Sequence, residues 1–215
     1  MIQAQNISFK YPKSDRWILK NFSAEFQKSE IVALTGPNGC GKTTLSKLLT
    51  GIFQPQRGNV YIDDVDISCM PLSEIGKKIG LVMQSPDRQI FCTSVREEIE
   101  YGLKNLGLEQ AEIEKRTAYY LNYFQLYHYR NTFPFEMSMG EKQRLILAAV
   151  LAMQPDYLLL DEPTASLDVY RKRLLGELIQ KIHHETKTGI IIISHDRDFI
   201  EKYTTREIKM EVAVP

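Results

Sequence analysis

The sequence has 215 residues, 27 basic and 27 acidic, so no basic surplus points to nucleic acid or an anionic lipid surface. That length suits one large domain or two small subdomains around a substantial core. The three cysteines, Cys40, Cys69 and Cys92, lack metal-like spacing and suit a reducing cytoplasm; no signal-peptide pattern opens the sequence, and the longest apolar run, Leu145 to Met153, falls far short of the ~20 residues of a spanning helix.

In chain order, Ile7, Phe9 and Tyr11 alternate with polar residues, as do Phe22, Ala24 and Phe26. Both segments read as half-buried strands joined by the polar turn Pro12 to Arg16, and Val60-Tyr61-Ile62 adds a third strand to a small antiparallel layer. Ile31-Val32-Ala33-Leu34-Thr35 is a continuous apolar run, the pattern of a buried parallel strand. It leads into Gly36-Pro37-Asn38-Gly39-Cys40-Gly41-Lys42-Thr43, which satisfies the phosphate-cradle spacing G-x-x-x-x-G-K-[ST]. Leu45, Leu48, Leu49 and Ile52 then recur at helical spacing, with Gly51 at the expected helix end. Strand, glycine turn and helix start place free N–H groups and the positive helix end around one point, where an oxygen-rich anion fits. Lys42 brings a cation to the β and γ phosphates, and the Thr43 hydroxyl can ligate Mg²⁺.

Ile79 to Met83 reads as another buried strand, ending at Gln84, after which the texture turns helical: Ser94 to Leu106, Gln110 to Phe124 and Ser138 to Met153. Glu97-Glu98 and Glu112-Glu114-Lys115-Arg116 read as solvated helix faces. Tyr119, Tyr120, Tyr123, Phe124, Tyr127 and Tyr129 read as packing rather than a base-stacking platform, because no basic stripe accompanies them. Ser138 followed by Glu141 ahead of an apolar helix is a capping box and, with Gly140, a second possible anion site. Tyr157-Leu158-Leu159-Leu160 and Gly189 to Ile193 are further continuous apolar strands, ending in Asp161-Glu162 and in Ser194-His195. Ligands of open α/β sheets sit outside the carboxyl ends of parallel strands, so Lys42, Gln84, Asp161, Glu162 and His195 are expected along one edge. An acidic pair at a strand end is costly unless a cation meets it: Asp161 then holds Mg²⁺, Glu162 is the general base for water, Gln84 offers its amide to metal and water, and His195 donates to the γ-phosphate.

These ordered motifs resemble the nucleotide-binding subunits of ATP-binding cassette (ABC) transporters over nearly the whole chain. The resemblance identifies Tyr11 as the aromatic A-loop, Gly36 to Thr43 as Walker A, Gln84 as the Q-loop and Ser138-Met139-Gly140-Glu141 as the signature. Leu158 to Glu162 is Walker B, Ser166-Leu167-Asp168 the D-loop and His195 the switch histidine. It implies an α/β fold: a P-loop NTPase core with a mostly parallel sheet (about 1–84 and 155–215), an N-terminal antiparallel β subdomain, and an inserted helical subdomain (about 85–154). It implies ATP and Mg²⁺ as cofactors, with Tyr11, Gly36, Pro37, Asn38, Gly39, Cys40, Gly41, Lys42, Thr43 and Thr44 at the nucleotide. It also implies a second ATPase subunit that sandwiches ATP head to tail. Ser138 and Gly140 then reach the γ-phosphate on the partner chain, and Asp168 couples the two sites.

Two residues depart from the family pattern, Met139 in place of a glycine and Glu141 in place of a glutamine. Cys40 beside the phosphates is expected to be shielded from alkylation by ATP. The segments Gln84 to Phe91, Val95 to Ile99 and Tyr101 to Leu108 resemble, more narrowly, the ATPases of energy-coupling factor importers of the cobalt and vitamin type. The expected function is ATP hydrolysis that powers uptake through separate integral membrane subunits, at the cytoplasmic face of the cell membrane. A soluble cassette acting on nucleic acid or a protein complex is the alternative, and a small-molecule phosphotransferase leaves the signature and D-loop without a purpose.

Overall fold

The computed structural model describes residues 1–165 and 167–213. The chain divides into two compact units, one formed by 1–79 and 156–215 and the other by 80–155.

The first unit holds two sheets. Strands β1 (Ile2–Phe9) and β2 (Leu19–Phe26) pair antiparallel, and β1 also pairs with β4 (Arg57–Ile62), which turns back into the short β5 (Val65–Asp66). The order β2-β1-β4-β5 is the antiparallel layer expected from the period-2 pattern. Tyr11 lies two residues beyond β1 rather than on it.

The parallel sheet is built from β3 (Ile31–Thr35), β7 (Tyr157–Asp161), β8 (Gly189–Ile193) and β9 (Arg206–Lys209). Every residue of β3, β7 and β8 is buried, which is why these strands read as unbroken apolar runs. β7 lies beside β8, β8 beside β3, and β3 beside β9, all parallel. β9 is polar at both ends and only half-buried, so its sequence carries no strand signal. Helices α1 (Lys42–Leu49), α2 (Leu72–Lys78), α6 (Val169–Thr186) and α7 (Arg197–Tyr203) complete the unit. Ile52 falls beyond α1 and is 44 % exposed, so the apolar stripe of that helix ends at Leu49. Tyr157 is fully buried and donates its hydroxyl to Phe26 O at 3.2 Å; burial pushes its pKa up to about 12.

β6 (Ile79–Val82) begins at the boundary of the two units. The second unit is a helical layer of α3 (Val95–Asn105), α4 (Gln110–Tyr123) and α5 (Met139–Ala152). Glu98 corrects the reading of a solvated face: it is 5 % exposed, and one carboxylate oxygen accepts the N–H groups of Phe91 and Cys92 at 3.1 and 2.8 Å. A buried carboxylate bonded to two backbone donors pins the loop before α3. The aromatic group divides, with Tyr120 and Phe124 in the core and Tyr119 and Tyr127 exposed.

α6 packs on α7 through Gly176, where an added Cβ would lie 2.4 Å from ring carbons of Tyr203. Gly176→Ala is expected to lower stability by about 1–3 kcal/mol through overpacking, although alanine favours a helix by about 1 kcal/mol. Chemical denaturation measures this; an unchanged or higher midpoint contradicts the packing.

Candidate functional site

β3 ends at Thr35, and the chain turns through Gly36 to Gly41 into α1. At Gly36 a Cβ would lie 2.4 Å from Met210 O, so the residue after β9 leaves room there for glycine alone. Gly41 caps α1 in the left-handed region at φ 99°, and no side chain caps that helix start. The first intrahelical bond runs from Leu45 N–H to Gly41 O at 2.7 Å, which leaves the N–H groups of Lys42, Thr43 and Thr44 without a partner inside the helix. Pro37, Asn38 and Gly39 are exposed. Lys42 is 8 % exposed, and its ammonium donates to Gly36 O at 2.8 Å and Pro37 O at 3.2 Å.

Cys40 departs from expectation. Its side chain is fully buried, with Sγ 2.8 Å from where a Gly36 Cβ would stand. The fold itself closes that thiol to a reagent, so alkylation does not report on a nucleotide.

The carboxyl ends of the adjacent strands β3, β8 and β7 carry the remaining groups of this unit. Asp161, the last residue of β7, is 8 % exposed, and the Thr43 hydroxyl stands 3.4 Å from its Oδ1. Burial pushes the Asp161 carboxyl above its ordinary value, and the neighbouring Glu162 adds to the rise against the Thr43 hydrogen bond. Glu162 turns the chain off the strand at φ 49°, a left-handed conformation, while its N–H still bonds Ile193 O at 2.9 Å. Its Oε2 lies 2.9 Å from Nδ1 of His195, which follows β8. The site thus gathers uncapped helix N–H groups, a buried ammonium, a buried carboxylate beside a hydroxyl, and a carboxylate–imidazole pair.

Tyr11 meets the same helix: its hydroxyl is 3.0 Å from Thr44 Oγ1. Nothing in the sequence pattern joins these two residues. Asp168 caps α6 by accepting the Arg171 N–H at 2.8 Å, while Ser166 lies outside the described residues.

Gln84, Ser138 and Gly140 belong to the second unit. Gln84 is exposed, two residues beyond β6. Ser138 caps α5 in a complete capping box: its N–H and hydroxyl both reach Glu141 Oε2, at 2.8 and 2.7 Å, and Glu141 N–H returns to Ser138 Oγ at 3.4 Å. The Ser138 hydroxyl, then Tyr129, then the Ser138 N–H hold the Glu141 carboxyl at about 2, well below its ordinary 4.5. Met139 is 46 % exposed beside this cap.

Comparison with known proteins gives a consistent set of relatives. A family model described as "ABC transporter" matches residues 19–165. The energy-coupling factor transporter ATP-binding protein EcfA2 of Clostridium tetani is 38 % identical over 217 residues, spanning 97 % of this chain and 75 % of that protein. Among solved structures, CbiO1 of Clostridium perfringens, described as part of the ABC transporter complex CbiONQ, superposes with a TM-score of 0.89 at 31 % identity, covering 99 % of this chain and 86 % of that one. The ATP-binding cassette MJ0796, solved as a dimer in a post-hydrolysis state with ADP and phosphate, gives 0.85 at 27 % identity, covering 100 % and 97 %.

The lowered Glu141 pKa contributes stability that is complete above pH 4.5 and is lost as pH falls through 4.5 toward 2. Ser138→Ala removes the cap and is expected to cost about 1 kcal/mol at neutral pH. The NMR titration of Glu141 then moves up toward 4.5, and the stabilities of the two proteins converge as acid is added. An unmoved Glu141 titration contradicts the capping box.

Proposed function

The chain belongs to the ABC transporter family, and on that premise we propose how it binds and splits ATP and what it drives. It is the nucleotide-binding ATPase subunit of a transporter. The reading of the site rests on one observation: a buried ammonium, an uncapped helix start, a buried carboxylate and a carboxylate–imidazole pair share the carboxyl edge of three adjacent parallel strands. Such an edge is where an open α/β sheet takes its ligand.

The triphosphate lies on the N–H groups of the loop and the first turn of α1, where the helix end favours negative charge. Lys42 leaves the carbonyls of Gly36 and Pro37 for the β and γ phosphates. Thr43 and Asp161 suit Mg²⁺, because a buried carboxylate beside a hydroxyl is an oxygen donor set whose charged form burial disfavours until a cation meets it. When bound, Mg²⁺ supplies charge neutralisation at the β and γ oxygens.

Glu162 accepts a proton from the attacking water through its Oε1. Its Oε2 is held by His195, whose Nδ1 carries the proton when it donates to the carboxylate. The opposite imidazole nitrogen is then left for the γ-phosphate side. Tyr11 stacks on the base. A second cassette completes the assembly, with Ser138 and Gly140 of one chain at the γ-phosphate of the other and Asp168 beside the shared interface; that MJ0796 forms a dimer supports the pairing of two cassettes.

The relatives favour an energy-coupling factor importer, with membrane-embedded partner subunits, at the cytoplasmic face of the membrane. No helix among the described residues is long and apolar enough to cross a membrane.

Glu162→Gln is expected to keep ATP binding while hydrolysis falls by at least ~10²-fold, with ATP-bound dimers accumulating on size exclusion. Normal turnover removes Glu162 as the base. Lys42→Ala weakens nucleotide binding itself, read by titration calorimetry; an unchanged affinity contradicts the placement of the triphosphate.

A further inference from the structure

Tyr11 meets helix α1 directly at Thr44 and a second time through Phe53. Its hydroxyl is 3.0 Å from Oγ1 of Thr44. Its ring stands edge-on to Phe9, at 5.3 Å and 84°, and to Phe53, at 5.8 Å and 90°. Phe9 and Phe53 are themselves stacked at 5.3 Å and 7°. Phe53 returns to the helix: its N–H bonds Lys47 O at 3.0 Å, and the Lys47 ammonium lies 5.2 Å from the centre of its ring. An aromatic corner from β1 and the loop after α1 therefore orients the Tyr11 ring, while Thr44 sets its reach. Thr44 is 5 % exposed, whereas Tyr11 is 38 % exposed and keeps ring surface free.

We propose that Thr44 is a positioning residue for base recognition, its hydroxyl tying the Tyr11 ring to the phosphate-binding helix so that base and triphosphate are held at one fixed separation. The inference rests on the nucleotide-binding reading above. Thr44 has one hydroxyl proton and two lone pairs, so it can accept the Tyr11 proton and still offer its own at the helix start. A free tyrosine on a loop would have to be ordered by each incoming base. A ring already held by α1 avoids that entropy, and the gain depends on the phosphates seating on the same helix. The hydroxyl of Tyr11 thus matters for nucleotides and not for phosphate chains alone.

The test measures the affinities of ATP and inorganic tripolyphosphate for the intact chain and its variants by calorimetry. Tyr11→Phe keeps the ring and loses only the hydroxyl. It is expected to weaken ATP about five-fold, the worth of one net hydrogen bond, and to leave tripolyphosphate unchanged. Thr44→Ser retains wild-type ATP affinity. In a Thr44→Val background, Tyr11→Phe causes no further loss, because the bond is already gone.

Given a wild type that binds both probes, four results overturn the proposal: Tyr11→Phe binding ATP like wild type, both probes weakening equally, the loss from Tyr11→Phe persisting in the Thr44→Val background, or Thr44→Val abolishing tripolyphosphate binding. The last assigns the hydroxyl to the phosphates instead. A wild type that binds neither probe overturns the nucleotide reading and this inference with it; a binding wild type with an indifferent Tyr11→Phe overturns this inference alone.

Discussion

A buried ammonium at the positive end of a helix is the constraint around which the first unit is arranged. Lys42 is 8 % exposed and opens α1, where unpaired N–H groups already carry partial positive charge. Two like charges in one buried place oppose each other, and among the described residues the ammonium bonds the carbonyls of Gly36 and Pro37. These neutral acceptors take two of its three hydrogens without cancelling its charge. An anion relieves both excesses at once, so the loop is preorganised for a ligand that the protein's own groups do not supply.

The parallel sheet sets the other charges opposite that point. β3 delivers the loop, β7 delivers Asp161 and Glu162, and the chain leaves β8 toward His195. The three strands are neighbours, so their carboxyl ends lie within about 10 Å of one another. Glu162 takes a left-handed conformation at φ 49° and still keeps one bond to β8. A non-glycine residue there costs roughly 1–2 kcal/mol. The conformation ends the strand and is accompanied by the contact between the Glu162 carboxylate and the imidazole. Asp161 stays inside, and burial above all pushes its carboxyl above the ordinary value, against the opposing pull of the Thr43 hydroxyl, Lys42 and Lys47. The buried ammonium and the buried carboxylate share a common edge, an arrangement complementary to a phosphate with its cation.

Much of this was legible in the sequence because periodicity and burial agree. Unbroken apolar runs became β3, β7 and β8, and the S-x-x-E pattern became a full capping box around Ser138 and Glu141. What failed to show depends on contacts far apart in the chain. β9 is polar and joins the sheet only because β3 offers an edge. The need for glycine at position 36 comes partly from Met210, and no local pattern announces that approach. Glu98 looked solvated beside Glu97, but two backbone N–H groups seven and six residues earlier in the chain draw it inside. Cys40 lies in the loop that matches the phosphate-cradle spacing, yet its side chain turns into the core, a distinction that spacing does not encode. The Tyr11–Thr44 bond spans 33 positions and belongs to the same class.

The most direct measurement is a crystal structure of the chain with Mg²⁺ and a non-hydrolysable ATP analogue. The account predicts that the Lys42 ammonium leaves Gly36 O and Pro37 O for the β and γ phosphates, with the α1 N–H groups on the same oxygens and Asp161 facing the metal. A nucleotide bound elsewhere, with Lys42 still on the two carbonyls, would contradict it.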